Sequence, residues 1–185
     1  MTHITILDGT DRSDGPGGAA SEFEDDRGDE GVLRHAIFSE PLGSVPRRQT
    51  LTVPATGSIA DTVQAMNDHH VGCALVVRLG KLVGIFTERD VLRKVVGTQI
   101  DLHRTAVEQV MTKDPDTLPT TATIAFALRK MSQEGYRHVP LVDGAGKPVG
   151  VVAVRDIVGW MAEMFPESVL NLPPEPGFPR DLDGG

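Results

Sequence analysis

The sequence predicts an α+β fold in which two β-α-β-β-α motifs pack as a pseudo-two-fold pair between flexible N- and C-terminal tails. The first observation is an internal repeat, because residues 59–92 recur from residue 124 at an offset of 65, which becomes 66 after a turn. The second is the pattern within each copy, where short apolar runs typical of strands alternate with apolar residues at helical spacing. Two copies are too few for a solenoid, so they must pack against each other, and the cleft between them is a natural binding place.

The first copy reads as strand, helix, strand, strand and helix. Its opening strand contains Val53, and Ser58-Ile-Ala-Asp61 is a capping-box-like start for the first helix. Two apolar runs on either side of Leu79-Gly80 predict a β-hairpin. The predicted elements are a helix from residue 59, strands at 73–77 and 82–86, and a helix over about 88–96 that buries Val91, Leu92 and Val95.

The second copy repeats this order after a linker, residues 101–112, which has some helical character at Val107 and Val110. Its predicted elements are a helix from residue 124, strands at 138–142 and 148–152, and a helix over 155–164. The sequence therefore predicts a first motif with its linker at 46–105 and a second motif at 106–165.

The remaining segments are predicted to be tails. Residues 1–45 form a mostly disordered acidic segment, since residues 9–31 are rich in Gly, Asp and Glu with almost no β-branched or aromatic side chains. A short helical turn is expected around residues 32–38. The C-terminal tail at 166–185 is Pro-rich and can only be extended or polyproline-like.

Composition argues against several classes of protein. Residues 1–40 carry ten acidic and three basic side chains, whereas residues 46–165 are nearly neutral. Because there is no basic stripe, nucleic acid is not expected as a partner. No membrane partner is expected either, since no apolar run reaches the roughly 18–20 residues of a membrane span. The N-terminus lacks a secretory pattern and the single Cys73 forms no disulfide framework, which predicts a cytoplasmic protein.

Each copy carries the same short pieces in the same order. They are residues 71–77 and 83–90 in the first copy and 136–143 and 149–156 in the second, which Val110-Met-Thr112 opens. Together they resemble a tandem pair of cystathionine-β-synthase (CBS) motifs, the arrangement called a Bateman module, over about residues 46–165. With only tails outside this region, the chain resembles a stand-alone CBS-domain protein.

The resemblance implies an α/β-type CBS fold in which the two sheets face each other and leave two related clefts. Adenosine-containing ligands commonly bind in such clefts. The ligand is expected to be AMP, ADP or ATP, and less often S-adenosylmethionine or NAD. The resemblance further implies a homodimer, and no cofactor is required.

The segment Thr87-Glu-Arg-Asp90 has two interpretations. A capping box at a helix start would explain both Thr87 and Asp90. Alternatively, the Asp90 carboxylate accepts hydrogen bonds from two ribose hydroxyls, and Thr87, Arg89 and the first-turn amides face the ligand. In the second copy Ala153 replaces the hydroxyl, yet Asp156 remains, and capping alone does not require that carboxylate. Ligand contact is therefore favoured, with unequal clefts.

Arg137 and His138 lie where the third strand of the second copy begins. The matching residues in nucleotide-binding relatives often reach the phosphates, and a planar guanidinium can bond two phosphate oxygens. If His138 contacts phosphate, binding should strengthen as the pH falls through its titration range. Both could equally be a solvated pair, an interpretation that is stronger for His69 and His70 at the analogous place in the first copy.

The adenine pocket should be apolar, with backbone amides reading the edge of the ring. Tyr136 could stack on a base, or it could cover the core. The positions that match the family's pocket are Val53, Cys73 and Ala74, with Leu51 and Gly72, for one cleft, and Thr112 and Tyr136, with Met111, Pro115 and Pro140, for the other.

Other chemistry finds little support in the sequence. His70-x-x-Cys73 has a zinc-like spacing but no second ligand pair, so no metal site is predicted. Nothing near Cys73 lowers its pKa or supplies a base, so no catalytic residue is assigned. An apolar face on the last helix, formed by Trp160, Met164 and Phe165, favours a dimer contact.

The expected function is that of a non-enzymatic sensor that binds an adenine nucleotide between the motifs. Binding would favour one relative arrangement of the two halves and shift that equilibrium. The tails either contact an unknown protein partner or only keep the chain soluble. The alternative is a ligand-free dimerisation or partner-docking module, which Ala153 favours, whereas Thr87 with Asp90 favours the sensor.

Overall fold

The first copy of the repeat folds into a strand, a helix, a β-hairpin and a second helix, in the predicted order. The second copy has the same helix, hairpin and helix, but its predicted opening strand is reduced to a single parallel bridge between Leu118 and Leu141. The computed structural model describes residues 5–7 and 28–164. In chain order, its first elements are β1 (Thr5–Leu7), α1 (Gly28–Ser39), a 3-10 turn (Leu42–Ser44), β2 (Thr50–Pro54), α2 (Ile59–Asp68), β3 (Cys73–Arg78), β4 (Lys81–Thr87) and α3 (Glu88–Asp90), which continues as a π-turn (Val91–Val95). They are followed by a 3-10 turn (Val107–Gln109), β5 (Thr112–Lys113), α4 (Ile124–Glu134), β6 (His138–Val142), β7 (Pro148–Ala153) and α5 (Val154–Met164). This mixture confirms the predicted α+β class.

The first long helix of each copy begins at a hydroxyl cap. Ser58 Oγ accepts the backbone N–H of Asp61 at 3.0 Å, and Thr123 Oγ1 accepts that of Phe126 at 3.4 Å. α4 ends at Gly135, whose φ of 71° lies in the left-handed region that favours glycine. These local signals place the two helices at equivalent positions of the repeat.

The second sheet packs against one face of strand β3, which lies in the middle of the first sheet. The first sheet has the order β1-β2-β3-β4-β5, with β2 and β3 parallel and the other pairs antiparallel, and the second pairs β6 with β7. Ala74 and Val76 of β3 pack into the core of the first motif, whereas Cys73 and Leu75 pack in a separate cluster that Val151 of β7 joins. Because successive side chains point to opposite faces, β3 is buried on both sides, as its unbroken apolar run requires.

A short segment before each copy crosses over to the other copy. The backbone N–H groups of Leu42 and Gly43 donate to the carbonyls of Ala122 and Thr120, both at 2.8 Å. The N–H of Val107 donates to Gly57 of the first copy, also at 2.8 Å. Residues 42–45 and 107–110 are 65 positions apart and each contains a 3-10 turn, so the repeat extends further towards the N-terminus than the sequence pattern indicated.

Part of the segment predicted to be disordered is ordered. Strand β1 pairs with β2, helix α1 already begins at Gly28, and Leu42 and Val45 are buried in the core of the second motif. The helical turn expected around residues 32–38 is confirmed within α1, whereas the prediction that residues 1–45 are mostly disordered is wrong for β1, the start of α1 and residues 42–45. Acidic residues dominate the composition of the segment and conceal the few apolar residues that pack. Residues 8–27, like the predicted tail at 166–185, lie outside the described residues.

The second helix of the first copy differs from its prediction. The predicted helix over about 88–96 is present at residues 88–95, but it changes after Asp90 from an α-helix into a π-turn, in which the N–H of Val96 donates to the carbonyl of Val91 at 2.9 Å. Leu92 is 69% exposed and Val91 is partly buried, so only Val95 of the three predicted core residues is buried.

The apolar face predicted on the last helix is internal at Trp160 and exposed at Met164. Trp160 is only 6% exposed and packs in the core of the second motif, so its assignment to a dimer contact is wrong. Met164 is exposed, and Phe165 lies outside the described residues. Of the helices in the described part of the chain, none combines the length and the apolar character needed to cross a membrane.

Candidate functional site

The turn from β4 into α3 forms a complete capping box. Thr87 Oγ1 accepts the backbone N–H of Asp90 at 3.3 Å, and Asp90 Oδ2 accepts the backbone N–H of Thr87 at 3.0 Å. The Thr87 hydroxyl also donates to the same carboxylate oxygen at 2.7 Å. The capping interpretation of these two residues therefore describes part of their chemistry.

The Asp90 carboxylate has more partners than a cap requires. Its Oδ1 accepts the Thr112 hydroxyl at 3.0 Å and lies 2.6 Å from Lys94 Nζ. A carboxylate offers about four lone-pair sites, and the donors from Thr87, Thr112 and Lys94 together occupy four. Asp90 is only 6% exposed. A ligand that uses this carboxylate must consequently displace Thr112, Lys94 or both.

These contacts set the ionisation of Asp90. Burial alone would raise its pKa, but hydrogen bonds from Lys94, Thr87 and Thr112 and the charge of Lys94 outweigh burial and hold the pKa below 3.8. The ionised carboxylate therefore stabilises the fold above its unfolded-state pKa, and this contribution is lost as the pH falls through the folded-state pKa.

The π-turn places two cations beside Asp90. Arg93 and Lys94 follow Asp90 by three and four residues, and both line the same cavity as the carboxylate. Lys94 is held by the Asp90 ion pair and by a hydrogen bond to the carbonyl of Met111 at 3.1 Å. π-turns occur often at functional sites, where they change the direction of side chains within a helix.

Asp90 lies at a cavity of about 430 Å³ between the two motifs. This volume falls in the range of small-molecule sites. Residues of both copies line it: Gly72, Ile85, Thr87, Glu88, Arg89, Asp90, Arg93 and Lys94 from the first motif, and Thr112, Lys113, Asp114, Pro115, Asp116, Tyr136, Arg137 and His138 from the linker and the second motif. Arg89 joins the motifs directly, because its guanidinium donates to the carbonyl of Gly135 at 2.8 Å.

The cavity has more unpaired cations than unpaired carboxylates. Lys94 is paired with Asp90, and Asp116 is paired with Lys130. Among the side chains that the structure describes, the lining residues without an ion pair are the cations Arg89, Arg93, Lys113 and Arg137 and the carboxylates Glu88 and Asp114. This excess of positive charge in a concave site attracts an anion.

A polar triad stands on the second-motif side of the cavity. Asp116 Oδ2 accepts the Tyr136 hydroxyl at 2.9 Å and a hydrogen bond from Lys130 Nζ at 2.8 Å. These hydrogen bonds hold the pKa of Asp116 below its usual range. Burial and the bond to Asp116 raise the pKa of Tyr136 to about 12, so its hydroxyl remains a donor at neutral pH.

His138 lies between this cavity and a smaller one. It lines both, and burial together with Arg155 and Arg137 lowers its pKa below 6.5, although Asp156 and Glu88 oppose this shift. The imidazole is therefore neutral at pH 7, where it can donate or accept a hydrogen bond but adds no charge.

The lowered pKa of His138 predicts a pH-dependent stability. Below about pH 6.5 the unfolded chain binds a proton that the folded chain resists, so the free energy of unfolding decreases as the pH falls through this window. His138→Gln should remove this part of the slope, measured by urea unfolding between about pH 5 and 7.5. His69→Gln, at an exposed position, is the control and should keep the slope. An unchanged slope in His138→Gln would contradict the prediction.

The second inter-motif cleft is nearly closed. It has a volume of about 20 Å³, enough for about one water molecule, and contains Cys73, Ala153 and Asp156. Asp156 Oδ2 accepts the backbone N–H of Ala153 at 2.9 Å, and its Oδ1 lies 3.9 Å from Arg155 Nε. Burial raises the pKa of the Cys73 thiol to about 12, which keeps it protonated.

The structure brings most of the predicted site residues together. The large cavity collects Thr87, Arg89, Asp90, Thr112, Tyr136, Arg137 and His138, and the small cleft contains Cys73 and Asp156. Val53 and Ala74 line neither, because their side chains point into the core of the first motif, where they are 1% and 0% exposed. Their assignment to the adenine pocket is therefore corrected.

Several lining residues were not predicted from the sequence, among them Arg93, Lys94, Lys113 and Asp116. Arg93 and Lys94 could have been found, since residues three and four positions after Asp90 lie on the same helical face. Lys113 and Asp116 belong to the opening segment of the second motif, where neither the repeat nor a periodic pattern marks them.

The profile of the CBS domain family matches residues 42–97 and 107–163. These segments cover more than half of the 185 residues, so the chain belongs to the CBS domain family. The resemblance stated from the repeated pieces is confirmed.

Curated relatives match roughly two thirds of this chain. A CBS domain-containing protein of Arabidopsis thaliana is 33% identical over 125 residues, which are 66% of this chain and 23% of that protein. An uncharacterized 17.7 kDa protein of Acidianus ambivalens is 34% identical over 117 residues, 63% of this chain and 70% of its own length. The chain thus spans less than a quarter of the Arabidopsis relative.

Solved structures support the same fold. A CBS domain protein of Pyrobaculum aerophilum, solved in complex with AMP, has a TM-score of 0.60 at 25% identity and covers 69% of this chain and 98% of its own. An uncharacterized conserved protein from Pyrococcus horikoshii has a TM-score of 0.61 at 25% identity, with 67% and 93% covered.

Proposed function

We propose that this chain is a regulatory, non-enzymatic module that binds an adenine nucleotide, AMP, ADP or ATP, in the cavity of about 430 Å³ between its CBS motifs. The observation that carries the proposal is the buried, ionised Asp90 at a cavity shared by both motifs. A carboxylate is suited to the adjacent hydroxyls of a ribose, and the Thr87 hydroxyl stands beside it. The AMP complex of the Pyrobaculum protein supports this choice of ligand.

The charges of the cavity support a phosphorylated ligand. Arg93, Lys113 and Arg137 lack carboxylate partners among the described residues, and guanidinium groups bind phosphate oxygens in pairs. An uncharged nucleoside would leave these cations without a counter-ion. Phosphates therefore add affinity beyond that of the ribose and base.

Binding would act on the contact between the motifs. In the structure the hydroxyl of Thr112, in the opening segment of the second motif, donates to Asp90 of the first, and the guanidinium of Arg89 donates to the carbonyl of Gly135 of the second. A ribose that takes the Asp90 carboxylate must replace Thr112 or Lys94. Such a ligand favours the arrangement of the motifs that tolerates this exchange and shifts the population towards it.

A thermal-shift panel tests the proposal. A ligand at 100 times its dissociation constant adds about 2.7 kcal/mol to the free energy of unfolding. For a domain of this size, that raises the Tm by roughly 5–10 °C. AMP, ADP and ATP should stabilise more than NAD and S-adenosylmethionine, and inorganic triphosphate is the control for mere anion binding. The proposal would be contradicted if the protein is folded and no nucleotide changes its Tm. If inorganic triphosphate raises the Tm as much as ATP does, the nucleoside does not contribute to binding.

A second candidate is a ligand-free dimerisation module. Leu92 and Val158 occupy equivalent positions of the repeat and are 69% and 55% exposed. The second helix of each motif therefore has an exposed apolar residue at the same position. Such exposed apolar residues are typical of an isologous interface between two copies. A homodimer in sedimentation velocity combined with a flat ligand panel would favour this function.

A further inference from the structure

The two copies differ at three equivalent positions that contact one another. Asp116, Lys130 and Tyr136 of the second copy correspond, at the offset of 65, to Leu51, Ala65 and Val71 of the first. Leu51 and Ala65 are core residues of the first motif, and Val71 packs against that core. Three apolar residues in one copy are thus replaced by an anion, a cation and a phenol in the other.

The replacement is concerted. Lys130 Nζ and the Tyr136 hydroxyl both donate to Asp116 Oδ2, at 2.8 and 2.9 Å, so one carboxylate oxygen holds both partners. The other oxygen, Oδ1, accepts no hydrogen bond from the groups that the structure describes. The Asp116 side chain remains 44% exposed and lines the large cavity. An ionised acceptor is therefore held in place with one oxygen open.

The charge of Asp116 decides which end of a nucleotide it meets. An ionised carboxylate repels phosphate, so the phosphates belong with the unneutralised cations of the cavity. Thr112, which bonds Asp90, lies four residues before Asp116 on the same segment. If the ribose hydroxyls donate hydrogen bonds to the Asp90 carboxylate and the phosphates lie at the cations, the base is the part of the ligand that is left to contact Asp116 and the ring of Tyr136.

We propose that Asp116 determines base specificity in this cavity by accepting a hydrogen bond from the exocyclic 6-amino group of adenine, while Lys130 and Tyr136 hold the carboxylate in position. The inference rests on the proposed nucleotide-binding function and deepens it. It replaces the expectation of an apolar pocket that reads the base through backbone amides alone. A base without an amino group leaves the oriented charge of Asp116 without a donor, which costs affinity.

The test compares AMP with purine riboside 5′-monophosphate, which lacks only the 6-amino group, by equilibrium binding to the full chain. A hydrogen bond to a charged group corresponds to a preference for AMP of about tenfold to a hundredfold in the wild type. Asp116→Ala should reduce this ratio to within about twofold. Because the ratio is taken within one variant, a general change of stability or affinity cancels.

Asp114→Ala is the matched control, since Asp114 is an exposed carboxylate of the same cavity and loop. It should retain the preference for AMP. Asp116→Asn keeps the shape of the side chain and should give an intermediate ratio.

The possible failures are distinguishable. Binding of both ligands with equal affinity by the wild type, or an unchanged preference in Asp116→Ala, overturns the role of Asp116 and leaves the proposed function standing. Tighter binding of GMP than of AMP overturns the assignment to a 6-amino group. A folded wild type that binds none of these nucleotides overturns the proposed function and this inference together.

Discussion

Asp90→Ala is expected to weaken adenine nucleotide binding by at least about a hundredfold, because each hydrogen bond from a ribose hydroxyl to a charged acceptor contributes about 1.5–3 kcal/mol. The variant also leaves Thr87, Thr112 and Lys94 without their common acceptor. We therefore expect a stability loss of about 1–3 kcal/mol, more than an exposed cap would cost. Affinity should be measured by titration calorimetry at a temperature where circular dichroism shows the variant folded.

Asp156→Ala is the matched control, since it removes the equivalent carboxylate from the nearly closed cleft. We expect it to change nucleotide affinity by no more than about twofold. Asp90→Asn, which keeps the size of the side chain, should weaken binding as Asp90→Ala does. A larger loss of affinity in Asp156→Ala than in Asp90→Ala would place the ligand in the other cleft and refute the site assignment.

Leu42→Ala is expected to lower the free energy of unfolding by about 2–5 kcal/mol, as for other fully buried leucines. Leu42 precedes the first motif, yet it is buried completely in the core of the second. Truncation leaves a cavity that the hydrogen bonds of Leu42 and Gly43 to the second motif prevent from closing. Urea unfolding measures the change, and the Tm should fall by roughly 5–15 °C.

Leu79→Ala provides the control, because Leu79 is 98% exposed at the tip of the β3–β4 hairpin. It should change stability by less than about 0.5 kcal/mol. Equal effects of the two substitutions would mean that residues 42–45 do not belong to the core of the second motif in solution.

The elements within each copy could be predicted because their signals are local. Ser58 caps its helix, Leu79 and Gly80 form the hairpin turn with positive φ angles, and the apolar runs match β3 and β4. The role of Leu42 could not be predicted in the same way, because its partners follow roughly eighty residues later in the chain. Comparison at an offset of 65 with Val107 would have been the available signal.

The carboxylate at the start of each second helix could be predicted from the repeat, whereas Asp116 could not. Asp90 and Asp156 stand out because the carboxylate persists when the neighbouring hydroxyl is lost. Asp116 contributes to no shared pattern, and its position at the cavity depends on how the motifs pack. The unequal volumes of the two clefts likewise follow from side-chain packing at the interface, which no periodicity encodes.

Because residues 42–45 and 107–110 cross over, each motif receives part of its core from the segment that opens the other motif. A single motif on its own would expose the part of its core that residues 42–45 or 107–110 of the other motif cover. It could cover this surface only by exchanging these segments with a second copy, as in a domain-swapped dimer. In the tandem repeat this exchange of segments occurs within one polypeptide. We therefore expect the two motifs to unfold in one cooperative transition, and we expect cleavage of the chain between them to destabilise both.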